Sequence, residues 1–208
     1  MVVMSSCTWS SRDLLGLGFP DPRTEYEMPD LGELRGHDVL GLSLDVFTRH
    51  PGPTRQRYFA AWMNLARLAG KALRGYQTAR VHLAEYRLHA YECRVAPYYR
   101  AVDNLEEAIA ATHRGFLVAQ RLTPVTGRKL PQPTKRQTAL LRAVHDRVEH
   151  ADERLIEQRA PGGELDVLVP HDKYVEIAAI QLPYQDLAWC ITKLHRGVEQ
   201  ISTGSAPG

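Results

Sequence analysis

Leu141, Val144, Val148, Ala151 and Leu155 recur at spacings of three and four within the stretch TALLRAVHDRVEHADERLIEQ, residues 138–158. At about 100° per residue that spacing lines the five up along one stripe of an α-helix. A stripe of this kind is buried against a core. The same stretch holds the densest run of ionisable groups in the chain, and Arg142, His145, Asp146, Glu149, His150 and Glu153 fall away from the stripe. The spacing therefore predicts a polar helix face that carries histidine, arginine and carboxylate together. Left in water, that face would be held only by intrahelical pairs such as Arg142–Asp146 and Asp146–His150, each worth ~0.2–0.5 kcal/mol.

Other segments repeat the helical period. Trp62, Ala66, Ala69, Leu73, Tyr76, Leu83 and Ala90 mark a long amphipathic helix beginning near Thr54, a candidate N-cap after Pro53, with a bend expected near Gly70 or Gly75. Val102, Leu105, Ile109, Thr112, Phe116 and Ala119 mark a second helix that runs to about Leu122. Pro97 lies between the two stripes, and either opens the second helix or kinks a continuous one. The run TPVTGRKLPQPT, residues 123–134, reads as a loop, with Thr134 placed to cap the helix that follows. Beyond the breaker at Ala160–Gly163, the runs Leu165–Val169 and Tyr174–Ile180 suggest a small hairpin around PHDK. Pro183 then opens a last helix striped by Leu187, Ile191, Leu194, Val198 and Ile201.

Residues 1–53 are rich in Gly, Pro and Asp and show no sustained period, so they read as an irregular arm with a short element at Val39–Phe47. Such an arm could cover the bundle or a partner. The tail STGSAPG, residues 202–208, is expected to be disordered. The expected architecture is mainly α: a bundle of about four main helices over 54–201, with a small β-hairpin before the last helix and the irregular N-terminal arm.

Composition narrows the function. At 208 residues, one domain can bury roughly 70% of its unfolded surface. The 26 Lys+Arg against 24 Asp+Glu leave a formal +2, so net charge gives no nucleic-acid footprint and any basic patch must be local. Cys7, Cys93 and Cys190 lie far apart without CxxC spacing and read as reduced, buried residues. With no basic start, no leader-like apolar run and no stretch of about 18 apolar residues, the expected setting is cytoplasmic, away from membranes.

Few motifs carry chemistry. No Gly-rich phosphate loop, GxSxG elbow or HExxH occurs, which removes the common nucleotide, hydrolase and metalloprotease readings. His82, Glu85, His89 and Glu92 share one arc of the first long helix and are metal-ligand types. That arc lies opposite the apolar stripe, whereas bundle metal sites project inward. A solvated face is the expectation, with no metal or cofactor. His37, His50, His113 and His195 stand alone in the sequence.

The segment HDRVEHADE, residues 145–153, followed by the hairpin and the closing helix LPYQDLAWCITKLHRGVEQI, resembles the HEPN superfamily of helical bundles. Many HEPN proteins are metal-independent ribonucleases that work as dimers in defence or toxin–antitoxin systems. Their hallmark is an arginine, often followed by a polar residue, placed a few residues ahead of a histidine on one helix. Here His150 takes the family histidine position and Asp146 the polar one. His145 stands where the arginine belongs, Arg142 is a turn too early and Arg147 too close. Ribonuclease chemistry needs a cation for the developing phosphorane charge and an imidazole to move the 2′-hydroxyl proton. The resemblance thus implies a catalytic set of Arg142, His145, Asp146 and His150, an RNA substrate and a homodimer, or a relative that keeps the fold and has lost the activity. The alternative is a non-enzymatic module whose helices bind another protein.

Overall fold

All seven members of the first stripe, from Trp62 to Ala90, are buried; the first six lie on one helix, α1 (Thr54–His89), and Ala90 opens the 3-10 turn, Ala90–Glu92, that closes it. The computed structural model of the chain describes residues 10, 14, 19–34, 54–92, 94–126, 130–151 and 167–203. At 36 residues and about 1.5 Å per residue, α1 spans the bundle, and it passes Gly70 and Gly75 as a single element. Thr54 is its first helical residue and so lies inside the helix instead of preceding it.

The second stripe lies on α2 (Ala96–Thr126), with Leu105, Ile109, Thr112, Phe116 and Leu122 all buried. Pro97 occupies its first turn, where a missing N–H costs nothing, so the break between α1 and α2 is real and there is no mid-helix kink. The helix runs on through Pro124 to Thr126, beyond the Leu122 end that its stripe suggests. The loop expected from Thr123 therefore starts later, and Leu130–Thr134 is its described non-helical part.

Helix α3 (Lys135–Glu149) opens on a capping box. The Thr134 hydroxyl accepts from the Gln137 backbone N–H at 3.2 Å, and the Gln137 side-chain Oε1 accepts from the Thr134 backbone N–H at 3.0 Å. Gln137 also donates to Asp186 at 2.8 Å, which ties the start of α3 to α4 (Tyr184–Thr203). The closing stripe on α4, Leu187 to Ile201, is buried throughout, and the helix includes Ser202 and Thr203, two residues past the expected boundary at 201.

Before α4 stands a three-stranded antiparallel sheet of β1 (Val169–Pro170), β2 (Tyr174–Ile177) and β3 (Ile180–Pro183). The expected hairpin is its β1–β2 half, in which Val169 pairs with Glu176. A third strand was not foreseen: Ala178 and Ala179 turn the chain, and Ile180 pairs back with Ile177. Pro183 ends that strand, and α4 begins one residue later.

Residues 19–34 are the continuous described part of the arm, and they strap across α1. The Tyr86 hydroxyl donates to the Pro20 carbonyl at 2.7 Å, Tyr76 to Pro29 at 3.2 Å and Gln77 to Leu31 at 3.3 Å. Phe19 packs edge-on against Tyr98 and Tyr99, and the Glu27 N–H bonds the Asp172 carbonyl in the turn between β1 and β2. Irregular in conformation but fixed by these bonds, the strap covers the bundle. The element expected at Val39–Phe47, the division at residue 53, residues 204–208, Cys7 and Cys93 lie outside the described residues. Cys190 is buried on α4, with its thiol pushed up to about 12 by desolvation. No helix among the described residues is long and apolar enough to cross a membrane.

Candidate functional site

Leu141 and Val144 face the core from α3, and the next residue along, His145, goes in with them. At 5% exposure it does not belong to the solvated face on which the helical wheel places it. The covering element is α2. His113, half-buried, brings its ring to 4.6 Å from that of His145, and the neighbouring Arg114 bonds Glu149. Glu149 in turn lies 3.4 Å from the His145 Nε2, so one carboxylate links an exposed guanidinium to a buried imidazole. Desolvation holds both histidines below their ordinary pKa, and for His113 the neighbouring His145 lowers it further. Both rings are therefore neutral at pH 7.

The rest of the expected set points elsewhere. Arg142 and Asp146 pair along the outside of α3 at 3.4 Å, with the arginine side chain 73% exposed. His150 is exposed and closes the helix as its C-cap. Arg142 and His150 are eight positions apart, which on an ideal helix places them about 12 Å apart along the axis and about 80° around it. Arg142 meets Asp146, whose backbone carbonyl also accepts the His150 N–H at 3.3 Å. His145 meets His113 and Glu149 instead, a grouping invisible to local spacing because His113 belongs to another helix.

Beside this cluster an open groove of about 630 Å³ runs between α1, α2 and the end of α3. Leu68, Ala111 and Val118 line it with apolar surface. Arg67, Lys71, Arg114 and Arg121 are balanced by Asp103, Glu106, Glu107 and Glu149. Lys71 pairs with Glu107 at 3.0 Å. The groove is thus amphipathic and close to neutral.

The histidines and glutamates weighed as metal ligands on α1 pair off as neighbours, His82 with Glu85 at 3.2 Å and His89 with Glu92 at 3.4 Å. His195 is buried, with its Nε2 3.0 Å from the Ala69 carbonyl, which joins α4 to α1. Compared with family models, curated proteins and solved structures, the chain has no match.

Proposed function

We propose that this chain is a HEPN-like helical domain that binds RNA without cleaving it and works as a homodimer. The observation that carries this reading is the burial of His145 against His113. A ribonuclease of the HEPN kind needs a cation at that position, and an imidazole kept neutral by desolvation supplies none. Arg142 is exposed, but it is paired with Asp146 and set about two helical turns along α3 from His150.

What remains suits binding. Lys135, Arg136 and Arg142 are exposed along α3, and His150 is exposed at its end, a local basic surface of the kind that contacts phosphates. Incubation of a labelled single-stranded RNA with the wild type and with His150→Ala tests the reading. The expected result is no cleavage by either and salt-dependent binding that weakens in Arg142→Ala. Cleavage by the wild type that is lost in His150→Ala restores the catalytic reading, and absence of RNA binding at low salt removes RNA as the ligand. The protomer mass in solution tests the dimer.

A second reading is favoured by the near-neutral groove between α1 and α2. Four cations facing four carboxylates over an apolar floor match a protein surface better than a polyanion. If RNA binding fails, a protein partner seated in that groove becomes the function, and Leu117→Glu on its rim should abolish the complex.

A further inference from the structure

The N-terminal strap does not lie flush on α1. Between them is a cavity of about 470 Å³, within the range of small-molecule sites. Met28 on the strap and Val81, Leu83 and Ala84 on α1 give it an apolar lining. Two cations, Arg80 and Arg87, stand two helical turns apart on the same wall.

These cations are not equivalent. Arg80 is neutralised by Asp30 at 2.7 Å. Arg87 has only a long 3.4 Å contact to Glu25, a side chain 83% exposed, and such a pair is weak in water. Its Nε is buried without a hydrogen-bond partner, and so is the hydroxyl of Tyr26, which lines the same cavity. Burial pushes the Tyr26 phenol above its ordinary range, so it is a neutral donor. An unmet buried donor is costly, and here two of them line one cavity from opposite sides, Tyr26 from the strap and Arg87 from α1.

We propose that the cavity under the strap is a binding site for a small amphipathic anion, its acid group held by Arg87 and Tyr26 and its apolar body laid against Met28, Val81 and Leu83. A carboxylate or a phosphate monoester supplies the shared acceptor chemistry. A bare inorganic ion would leave the apolar lining uncovered, and an uncharged lipid would leave Arg87 unmet. This site lies on the arm side of α1 and does not depend on whether the chain binds RNA.

The test is calorimetric titration of the full chain with octanoate, octyl phosphate and the uncharged 1-octanol. Saturable one-site binding of at least one acid is expected, tighter than that of 1-octanol by tenfold or more, and the tighter of the two acids identifies the head group. Arg87→Gln should weaken the acid by tenfold or more and Tyr26→Phe by about three- to tenfold. Ala84 is exposed on the cavity wall, so Ala84→Trp fills the space without disturbing the core and should abolish binding even if Arg87→Gln melts early. The proposal is overturned by no saturable binding of either acid, by equal affinity for 1-octanol, or by unchanged affinity in Ala84→Trp.

Discussion

His113 on α2 and His145 on α3 stack with their ring centroids 4.6 Å apart and tilted by 51°, and the Nδ1 of each is buried without a hydrogen-bond partner. Two imidazoles in such contact cannot both be charged at modest cost. Asp146 and Glu149 favour protonation, whereas Arg114, Arg142, His150 and the facing imidazole oppose it, and desolvation outweighs them all.

Stability should therefore depend on pH in a definite sense. Above the ordinary histidine pKa of about 6.5, folded and unfolded chains both carry these rings neutral and nothing is lost. As the pH falls through that value, the unfolded chain takes up protons that the folded state refuses, so unfolding becomes easier until the depressed folded-state values are passed. Urea midpoints at pH 7.5 and pH 5.5 should differ, with the lower pH less stable. In His145→Phe, which keeps the ring contact and removes one titrating group, the difference should shrink. An unchanged difference would assign the effect to other groups.

Glu149 couples this buried pair to the surface, because it bonds Arg114 and lies 3.4 Å from His145. Its outer pair, with Arg114, is exposed at both ends, so Glu149→Gln should cost less than about 1 kcal/mol. Its electrostatic effect should be clearer than its energetic one. The carboxylate is the strongest influence raising the His145 pKa, so its removal should depress that pKa further, which imidazole proton shifts in an NMR titration can follow. A rise in the His145 pKa would mean that Glu149 does not act on the ring.

Much of the fold was legible because helix periodicity and burial are one signal: the stripes from Trp62 to Ala90, Val102 to Leu122 and Leu187 to Ile201 are core in the structure, as their spacing requires. The strap was legible only as irregular chain, since its bonds run from Tyr76, Gln77 and Tyr86 to backbone carbonyls that carry no side-chain signature. The third strand was missed because Ala-Ala is not a turn signal and Pro183 reads equally as a helix start. The largest gap concerns His145. A helical wheel sorts residues relative to one stripe and cannot tell that a second helix packs over the stripe's edge, so His113 remained a lone residue and His145 a solvated one.

Gly75 is where α1 and α2 approach most tightly among the described glycines with backbone in reach. A Cβ there would stand 2.8 Å from the Asn104 carbonyl oxygen and 3.3 Å from the Ala108 Cβ. Backbone cannot yield as a side chain can, so the gain of about 1 kcal/mol in helix propensity from Gly75→Ala should be outweighed by overpacking of about 1–3 kcal/mol. Gly70 is the control on the same helix. Its added Cβ meets only the Arg74 guanidinium, at 3.2 Å, which can swing aside, so Gly70→Ala should stabilise by about 0.5–1 kcal/mol. Thermal melts of the two variants should move in opposite directions, and a shared direction would deny the close helix contact at Gly75.

Ala178 and Ala179 link β2 to β3 with φ of 48° and 60°, both in the left-handed region. Two consecutive positive φ values in a two-residue loop match a type I′ turn, whose twist suits an antiparallel pair and which ordinarily takes Asn-Gly. A residue with a Cβ costs about 1–2 kcal/mol in that conformation, so this turn is held by its surroundings. The holding contacts are visible: Val175 pairs with Leu182, both fully buried, and the Tyr184 N–H bonds the Lys173 carbonyl where the strands meet α4. Ala178→Asn combined with Ala179→Gly should relieve the strain at both positions, offset by the greater freedom of glycine in the unfolded chain, for a net gain of about 1 kcal/mol. Ala179→Val should act in the opposite sense, because a β-branched side chain tolerates positive φ least. Urea unfolding of the three proteins checks the order, and equal midpoints would mean that the loop does not adopt this turn.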